Sequence, residues 1–138
     1  MTKRRRREPV WVDRLVVDAI HFDQLREHGG LRGLRDENAL EATLARARNR
    51  RRHEPRADLA TLGAAYGSGI ATGHPYHDGN KRVAFVTLAT FVALNGYALE
   101  AAEEEVVQVM LASAAGRLRE EDLADWVRTR LVRQRSPS

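Results

Sequence analysis

The sequence predicts an all-α fold, a bundle of helices around one buried central helix. Apolar residues recur at spacings of three to five through most of the chain, which is the period of helices that bury one face. Asp13, Asp36 and Asp58 each precede such a stretch, where an aspartate side chain can cap the first free backbone N–H groups. Only residues 98–101 favour a short strand, and there is no internal repeat.

The first half of the chain predicts three helices. The first follows a short extended entry and ends at Gly29-Gly30. The second follows the turn LRGLRD and is broken at Pro55, within a basic cluster. The third contains three glycines: Gly63, Gly67 and Gly69. Because glycine weakens a helix, we expect these positions to serve the close approach of neighbouring helices.

The second half predicts three more helices. The segment VAFVTLATFVALNGY is apolar on nearly every side and closes at Asn95-Gly96, so we expect it to be the central helix. Glu103–Glu105 place negative charge at the start of an amphipathic helix, where the helix dipole favours it. A last amphipathic helix covers roughly residues 120–131.

Composition indicates one globular domain. With 138 residues, 43% hydrophobic and 30% charged, the chain has the size and balance of a single core. We divide it into a disordered basic tail at residues 1–10, a domain at 11–132 and a disordered tail at 133–138. No apolar run is long enough to span a membrane and no signal-peptide pattern is present, so we expect a cytoplasmic protein without membrane contact. The absence of cysteine excludes disulfides and thiolate chemistry.

Basic residues leave several kinds of partner open. The formal net charge of +4 comes largely from arginines near the N-terminus, in residues 46–56 and in residues 128–135. Such a balance suits nucleic acid, an acidic protein partner or a phosphate-bearing ligand. A nucleic-acid-binding protein would align its cations along one exposed helix, and no recognition helix stands out. Direct nucleic-acid binding is therefore an alternative that the pattern does not favour.

Residues 74–82, HPYHDGNKR, concentrate polar chemistry between two apolar segments. Their second half lies at a predicted helix N-terminus, where free N–H groups and the helix dipole attract an anion. Gly79 allows close backbone approach, and Asn80 can cap the helix or donate from its amide. Lys81 and Arg82 add two cationic phosphate ligands. The loop therefore predicts a phosphate-binding site.

Asp78 and His74 add the chemistry of group transfer. A carboxylate beside a phosphate requires a cation between them, and Mg²⁺ is commonly held by one carboxylate and substrate phosphates. Asp78 thus indicates a magnesium nucleotide. His74 can accept a proton near neutral pH, as general base for an attacking hydroxyl. A zinc site from His74, His77 and Asp78 is the alternative, but it lacks a nearby fourth ligand.

The loop resembles the signature of the Fic/Doc superfamily, HPF followed by two variable residues and GN. It is closest to the Doc (death-on-curing) branch, whose loop carries an aspartate and ends in lysine-arginine. AIHFDQLREHGGLRGLRDENALEATLARA, residues 19–47, resembles the N-terminal pattern of the family, and NGY and GRLREEDLADWV, residues 116–127, resemble its C-terminal end. The resemblance covers residues 11–131. It implies an all-α fold that moves part of a nucleotide onto a protein hydroxyl.

The resemblance implies a role for each matching loop residue. His74 would be the general base, Tyr76 the apolar anchor in place of the motif's phenylalanine, and Asp78 the Mg²⁺ ligand. The implied phosphate ligands are Gly79, Asn80, Lys81 and Arg82. The variable position, His77, receives no catalytic role.

The resemblance also implies the reaction and the partners. Doc-type toxins transfer phosphate from ATP to elongation factor Tu, a translation factor, whereas Fic-type members transfer AMP. The Fic-type loop has glycine in place of Lys81 and a phosphate-binding arginine in place of Phe85, so these departures favour phosphate transfer. No inhibitory helix matches, which implies a separate antitoxin whose acidic segment would suit residues 46–56. AMP transfer and an inactive scaffold remain the alternatives.

Overall fold

The computed structural model describes residues 7–134, which form six helices and one small two-stranded sheet. In chain order the elements are α1 (Arg14–His28), α2 (Glu37–His53), α3 (Leu59–Gly73), α4 (Asn80–Leu94), β1 (Tyr97–Leu99), α5 (Glu103–Ala114), α6 (Glu120–Arg130) and β2 (Leu131–Arg133). The predicted all-α fold is confirmed. None of these helices combines the length and the apolarity that are needed to cross a lipid bilayer.

Aspartate side chains begin the first three helices, as predicted. Asp13, Asp36 and Asp58 each accept a hydrogen bond of 2.9–3.1 Å from the backbone N–H three residues further on. Each cap satisfies one of the N–H groups that the first turn of a helix leaves without a partner. The sequence locates these helix starts well because capping depends only on neighbouring residues.

The buried central helix is α3, and the prediction that the segment from Val83 to Leu94 occupies this place is wrong. Every residue from Leu62 to Ala71 is buried, and α2, α4, α5 and α6 all pack against α3. The later helix, α4, buries one face and leaves both of its ends exposed. Helix α4, with its large apolar residues, therefore lies beside the centre of the domain, and α3, with its small residues, occupies the centre.

Glycine positions explain how α3 becomes the centre. A Cβ atom added at Gly69 would lie 2.6 Å from Thr43 in α2, and one added at Gly67 would lie 2.9 Å from Leu88 in α4. The neighbouring helices therefore contact the bare backbone of α3, as the glycine pattern predicts. Close packing of this kind compensates for the weak intrinsic helicity of these residues.

A small antiparallel sheet ties the C-terminal end to the segment after α4. Tyr97 pairs with Arg133 and Leu99 with Leu131. The sequence predicts a strand near residues 98–101 but no partner for it. The last helix ends at Arg130, and the strand β2 follows at once. This strand includes Leu131, the predicted end of the helix, and Arg133, the predicted start of the C-terminal tail.

The N-terminal segment also differs from the predicted tail. Residues 7–10 lie against the domain, where Pro9 is buried. The backbone N–H and C=O of Val10 form hydrogen bonds of 2.8 and 2.9 Å with the side chain of Asn95. Residues 1–6 and 135–138, which account for the rest of the predicted disordered tails, lie outside the described residues.

Arginines in the 46–56 stretch make internal contacts. Arg46 pairs with Glu120 of α6 at 2.6 Å, and Arg50 pairs with Glu54 at 2.9 Å. Arg51 donates to the backbone carbonyl of Pro55 at 2.6 Å. These contacts join α2 to α6 and close the turn after α2.

Candidate active site

The loop of residues 74–79 connects α3 to α4. It begins at His74, which ends α3 in the left-handed conformation with φ 47° and ψ 56°. Within residues 7–134, His74 is the one non-glycine residue with a positive φ. Its side chain is exposed, and its imidazole ring has no hydrogen-bond partner among the described residues. The ring is therefore accessible to a substrate.

Tyr76 fixes the middle of the loop in the core. The residue is buried, its hydroxyl donates to Oδ1 of Asp18 at 2.8 Å, and its ring stacks on His21 at a centroid distance of 3.8 Å. The Nε2 atom of His21 lies 3.1 Å from the carbonyl oxygen of Asp78, and it carries the proton because a carbonyl only accepts. Burial lowers the pKa of His21 and raises the pKa of Tyr76. Helix α1 thus supports the loop through the imidazole of His21 and the carboxylate of Asp18.

Asn80 closes the loop on itself. Its side-chain oxygen accepts from the backbone N–H of Tyr76 at 3.0 Å, and its side-chain nitrogen donates to the carbonyl of Tyr76 at 2.9 Å. One amide hydrogen of Asn80 remains for a ligand. The structure therefore gives Asn80 a loop-forming contact in addition to the phosphate contact that the sequence predicts.

A segment after α1, residues 31–36, lies alongside the loop and is called here the 31–36 segment. Leu34 and Tyr76 form an isolated antiparallel bridge. The backbone N–H of Arg35 donates to the carbonyl of Pro75 at 2.7 Å. The bridge and this hydrogen bond attach the loop to the 31–36 segment.

Asp78 is oriented by the start of the same segment. Its Oδ2 atom accepts from the backbone N–H of Leu31 at 2.9 Å. The second carboxylate oxygen has no hydrogen-bond partner among residues 7–134. A Cβ atom added at Gly30 would lie 3.2 Å from Oδ2, so the backbone approaches the carboxylate closely. Asp78 thus has one oxygen fixed and one available.

Helix α4 begins in a way that favours an anion. Its N-cap is Gly79, with φ 78° and no side chain to cap the free N–H groups. Lys81 and Arg82 in the first turn are exposed and form no ion pair with any described residue. The other five described helices have a capping aspartate or acidic residues in the first turn. Two cations at the positive end of a helix dipole destabilise that end until an anion binds there.

A pocket of about 700 Å³ lies between the start of α4 and α5, within the range of roughly 300–1,000 Å³ typical of small-molecule sites. Its polar end is lined by Asp78, Gly79, Asn80, Lys81 and Arg82. Its apolar wall includes Phe85, Val106 and Met110. The structure therefore brings the predicted metal ligand and the four predicted phosphate ligands to one pocket. Neither His74 nor Tyr76 lines it.

The polar end of the pocket fits a magnesium ion that binds together with a nucleotide. Such an ion takes one or two carboxylates and completes its coordination with water and phosphate oxygens. Asp78 supplies one available carboxylate oxygen beside an anion site. In the part of the chain that the structure describes, no three His, Asp or Glu side chains come together as a metal site. The alternative zinc site therefore has no geometric support.

Comparison with known proteins identifies the family. The sequence model of the Fic/DOC family matches residues 11–92, which is more than half of the chain and includes the whole loop. The chain belongs to the Fic/Doc family. A Fic/Doc relative, the protein kinase Doc of Escherichia phage P1, is 30% identical over 110 residues, covering 80% of this chain and 86% of the relative. The resemblance inferred from the loop is confirmed, and membership indicates a nucleotide-dependent enzyme that modifies proteins.

Three residues that organise this Fic/Doc loop are missed by sequence reasoning. Asp18 and His21 contact Tyr76, and the side chain of Arg35 donates to backbone carbonyls at the end of α3. One signal for Asp18 exists, because a buried tyrosine in place of phenylalanine requires a partner for its hydroxyl. The partner itself lies 58 positions away in the sequence and cannot be read from local patterns.

Proposed function

We propose that this Fic/Doc protein transfers the terminal phosphate of ATP to a serine or threonine hydroxyl of a translation factor. The observation that carries the proposal is the uncapped start of α4, where Lys81 and Arg82 lack ion-pair partners among the described residues and Asp78 has an available oxygen. A polyphosphate with a magnesium ion matches this set of groups in charge and in hydrogen bonding.

In the proposed reaction His74 removes the proton from the attacking hydroxyl. A bond forms between the hydroxyl oxygen and the γ-phosphorus, the bond from that phosphorus to the bridging oxygen breaks, and ADP leaves. The first-turn N–H groups of α4 and the side chains of Lys81 and Arg82 stabilise the charge on the transferred group. Asp78 would hold Mg²⁺, which when bound offsets the negative charge of the phosphates.

Transfer of phosphate is favoured over transfer of AMP by two features. Phe85 contributes an apolar side chain to the pocket at the position where AMP-transferring members carry a phosphate-binding arginine. Lys81 instead adds its charge beside Arg82 at the start of α4. The relative from phage P1 is named a protein kinase, which is consistent with this choice.

The biological setting of the proposal follows the Doc branch. The chain would act as the toxin of a toxin–antitoxin pair, block translation by modifying a factor of the elongation factor Tu type, and be neutralised by a separate antitoxin. A target of this kind would place the reaction in the cytoplasm. The toxin role, the translation-factor target and the antitoxin are inferred from the family resemblance.

Labelled ATP provides the test. The full chain is incubated with Mg²⁺, a cytosolic extract and ATP labelled at either the γ- or the α-phosphate, and protein-bound label is measured. We expect label from the γ-phosphate alone. Label from the α-phosphate would establish AMP transfer, and the absence of both would contradict a transferase that uses ATP.

Two variants in one loop separate the general base from its surroundings. His74→Asn keeps a residue that tolerates left-handed backbone but removes the proton acceptor, so we expect a loss of about 10²–10⁴-fold in transfer. His77→Asn changes another exposed histidine of the same loop, and transfer should stay within about twofold of wild type. Equal activity of His74→Asn and wild type would refute the assignment of the base.

A further inference from the structure

We propose that Arg35 is a positioning residue for transfer, one that fixes the backbone of His74 and thereby aims its imidazole ring. The inference rests on the proposed function, because aiming matters only if His74 is the base. Arg35 does not line the nucleotide pocket. It acts through His74 and does not contact the reacting atoms.

Arg35 binds three consecutive carbonyl oxygens at the end of α3. Its Nη2 donates to the carbonyl of Gly73 at 3.0 Å and its Nε to the carbonyl of His74 at 2.7 Å. Its backbone N–H donates to the next carbonyl, that of Pro75, at 2.7 Å. The planar fork of a guanidinium suits two adjacent acceptors, which an ammonium cannot match in geometry.

The contact completes the end of a helix that lacks its own cation. The last four carbonyls of a helix have no intrahelical partner, and a positive charge there also favours the helix dipole. Helix α3 has no basic residue in its last turn. Arg35, which lies almost forty positions earlier in the sequence, supplies the missing donor and charge.

His74 depends on such support more than other residues do. Its φ of 47° is a conformation that side-chain-bearing residues seldom adopt, and it persists where the surrounding structure determines it. The N–H of His74 donates to the carbonyl of Ile70 at 3.2 Å, and its carbonyl accepts from Arg35. Both backbone polar groups of His74 are thus bound, one of them by Arg35.

The kinetic test compares two arginines of the same segment. Arg35→Ala should lower kcat for transfer by about 10- to 100-fold, the loss typical of a misplaced reacting group, while KM for magnesium ATP stays within about twofold. Arg32→Ala is the matched control, because Arg32 is exposed, has the same charge and has no hydrogen bond or ion pair among the described residues. It should keep kcat within about twofold. Arg35→Lys should have a kcat between those of Arg35→Ala and the wild type, because a lysine keeps the charge but not the planar fork.

A second measurement does not require activity. Backbone ¹³C chemical shifts of His74, measured by NMR, should report left-handed conformation in the wild type and in Arg32→Ala, and should lose it in Arg35→Ala. If the wild type transfers nothing from ATP, the proposed function fails and the shifts alone decide on Arg35. Unchanged chemical shifts of His74 in Arg35→Ala would overturn the inference. It would also be overturned if Arg35→Ala had a lower melting temperature but the same kcat per folded molecule as the wild type.

Discussion

Replacing Gly69 with alanine tests how closely α2 approaches the central helix. The new Cβ atom would lie 2.6 Å from both Cγ2 and Oγ1 of Thr43, closer than Cβ atoms come to any neighbour. Thr43 has little freedom to move away, since its side chain is β-branched and its hydroxyl donates to the carbonyl of Ala39 at 3.0 Å. One of the two helices must therefore shift.

Gly63 provides a matched control on the same helix. A Cβ atom there would lie 3.6–3.7 Å from its neighbours, which is ordinary contact. Alanine gains about 1 kcal/mol of helix propensity at either position, and at Gly63 it also gains about 0.8 kcal/mol from burial of a methyl group. At Gly69 overpacking costs about 2–3 kcal/mol, which leaves a net loss of about 1–2 kcal/mol. The free energies of unfolding of the two variants should differ by about 3 kcal/mol.

Urea unfolding followed by circular dichroism measures this difference. Thr43→Ala removes both atoms that an alanine at position 69 would meet at 2.6 Å, so it should reduce the cost of Gly69→Ala by about 1 kcal/mol or more in a double-mutant cycle. Equal stability of Gly69→Ala and Gly63→Ala would refute the close approach of α2 to α3.

Two further predictions concern the metal ligand and the cap of α3. Gly30→Ala should raise the Mg²⁺ concentration for half-maximal transfer several-fold, because its Cβ would lie 3.2 Å from Oδ2 of Asp78. Gly29→Ala is the control, since Gly29 also has a positive φ but a Cβ there would have no neighbour within 4 Å. This control should leave the Mg²⁺ concentration for half-maximal transfer unchanged. The same Mg²⁺ dependence in both variants would contradict this reasoning. Arg128 holds the pKa of Asp58 at about 2, below its ordinary value of 3.8. Above about pH 4 the wild type should therefore unfold at a higher urea concentration than Asp58→Asn. This stability advantage should be lost as the pH falls toward 2, because the carboxylate becomes protonated. The carboxylate is nearly half exposed, so the advantage is about 1 kcal/mol, and an advantage independent of pH would count against the ion pair.

Local signals in the sequence predicted much of this fold. Capping aspartates located the starts of α1, α2 and α3, because the cap and the bonded N–H lie within one turn. The loop HPYHDGNKR likewise predicted an anion site, since a glycine followed by two cations at a helix start is a contiguous pattern.

Contacts between distant residues could not be read in this way. The choice of α3 over α4 as the central helix depends on which neighbours surround each one, and both segments are apolar. The strand β2 exists only because β1 pairs with it. Arg35 and His21 organise the loop through partners 38 to 57 positions away, and the family-like pattern of residues 19–47 that contains them does not reveal those contacts.

The intact mass of purified elongation factor Tu, after incubation with this chain and magnesium ATP, tests the central claim most directly. The account predicts a gain of one phosphate with wild-type chain and with His77→Asn, and no gain with His74→Asn. A gain of one AMP would contradict the phosphate-transfer mechanism while retaining the family. An equal gain with His74→Asn would contradict the role of His74 as the general base.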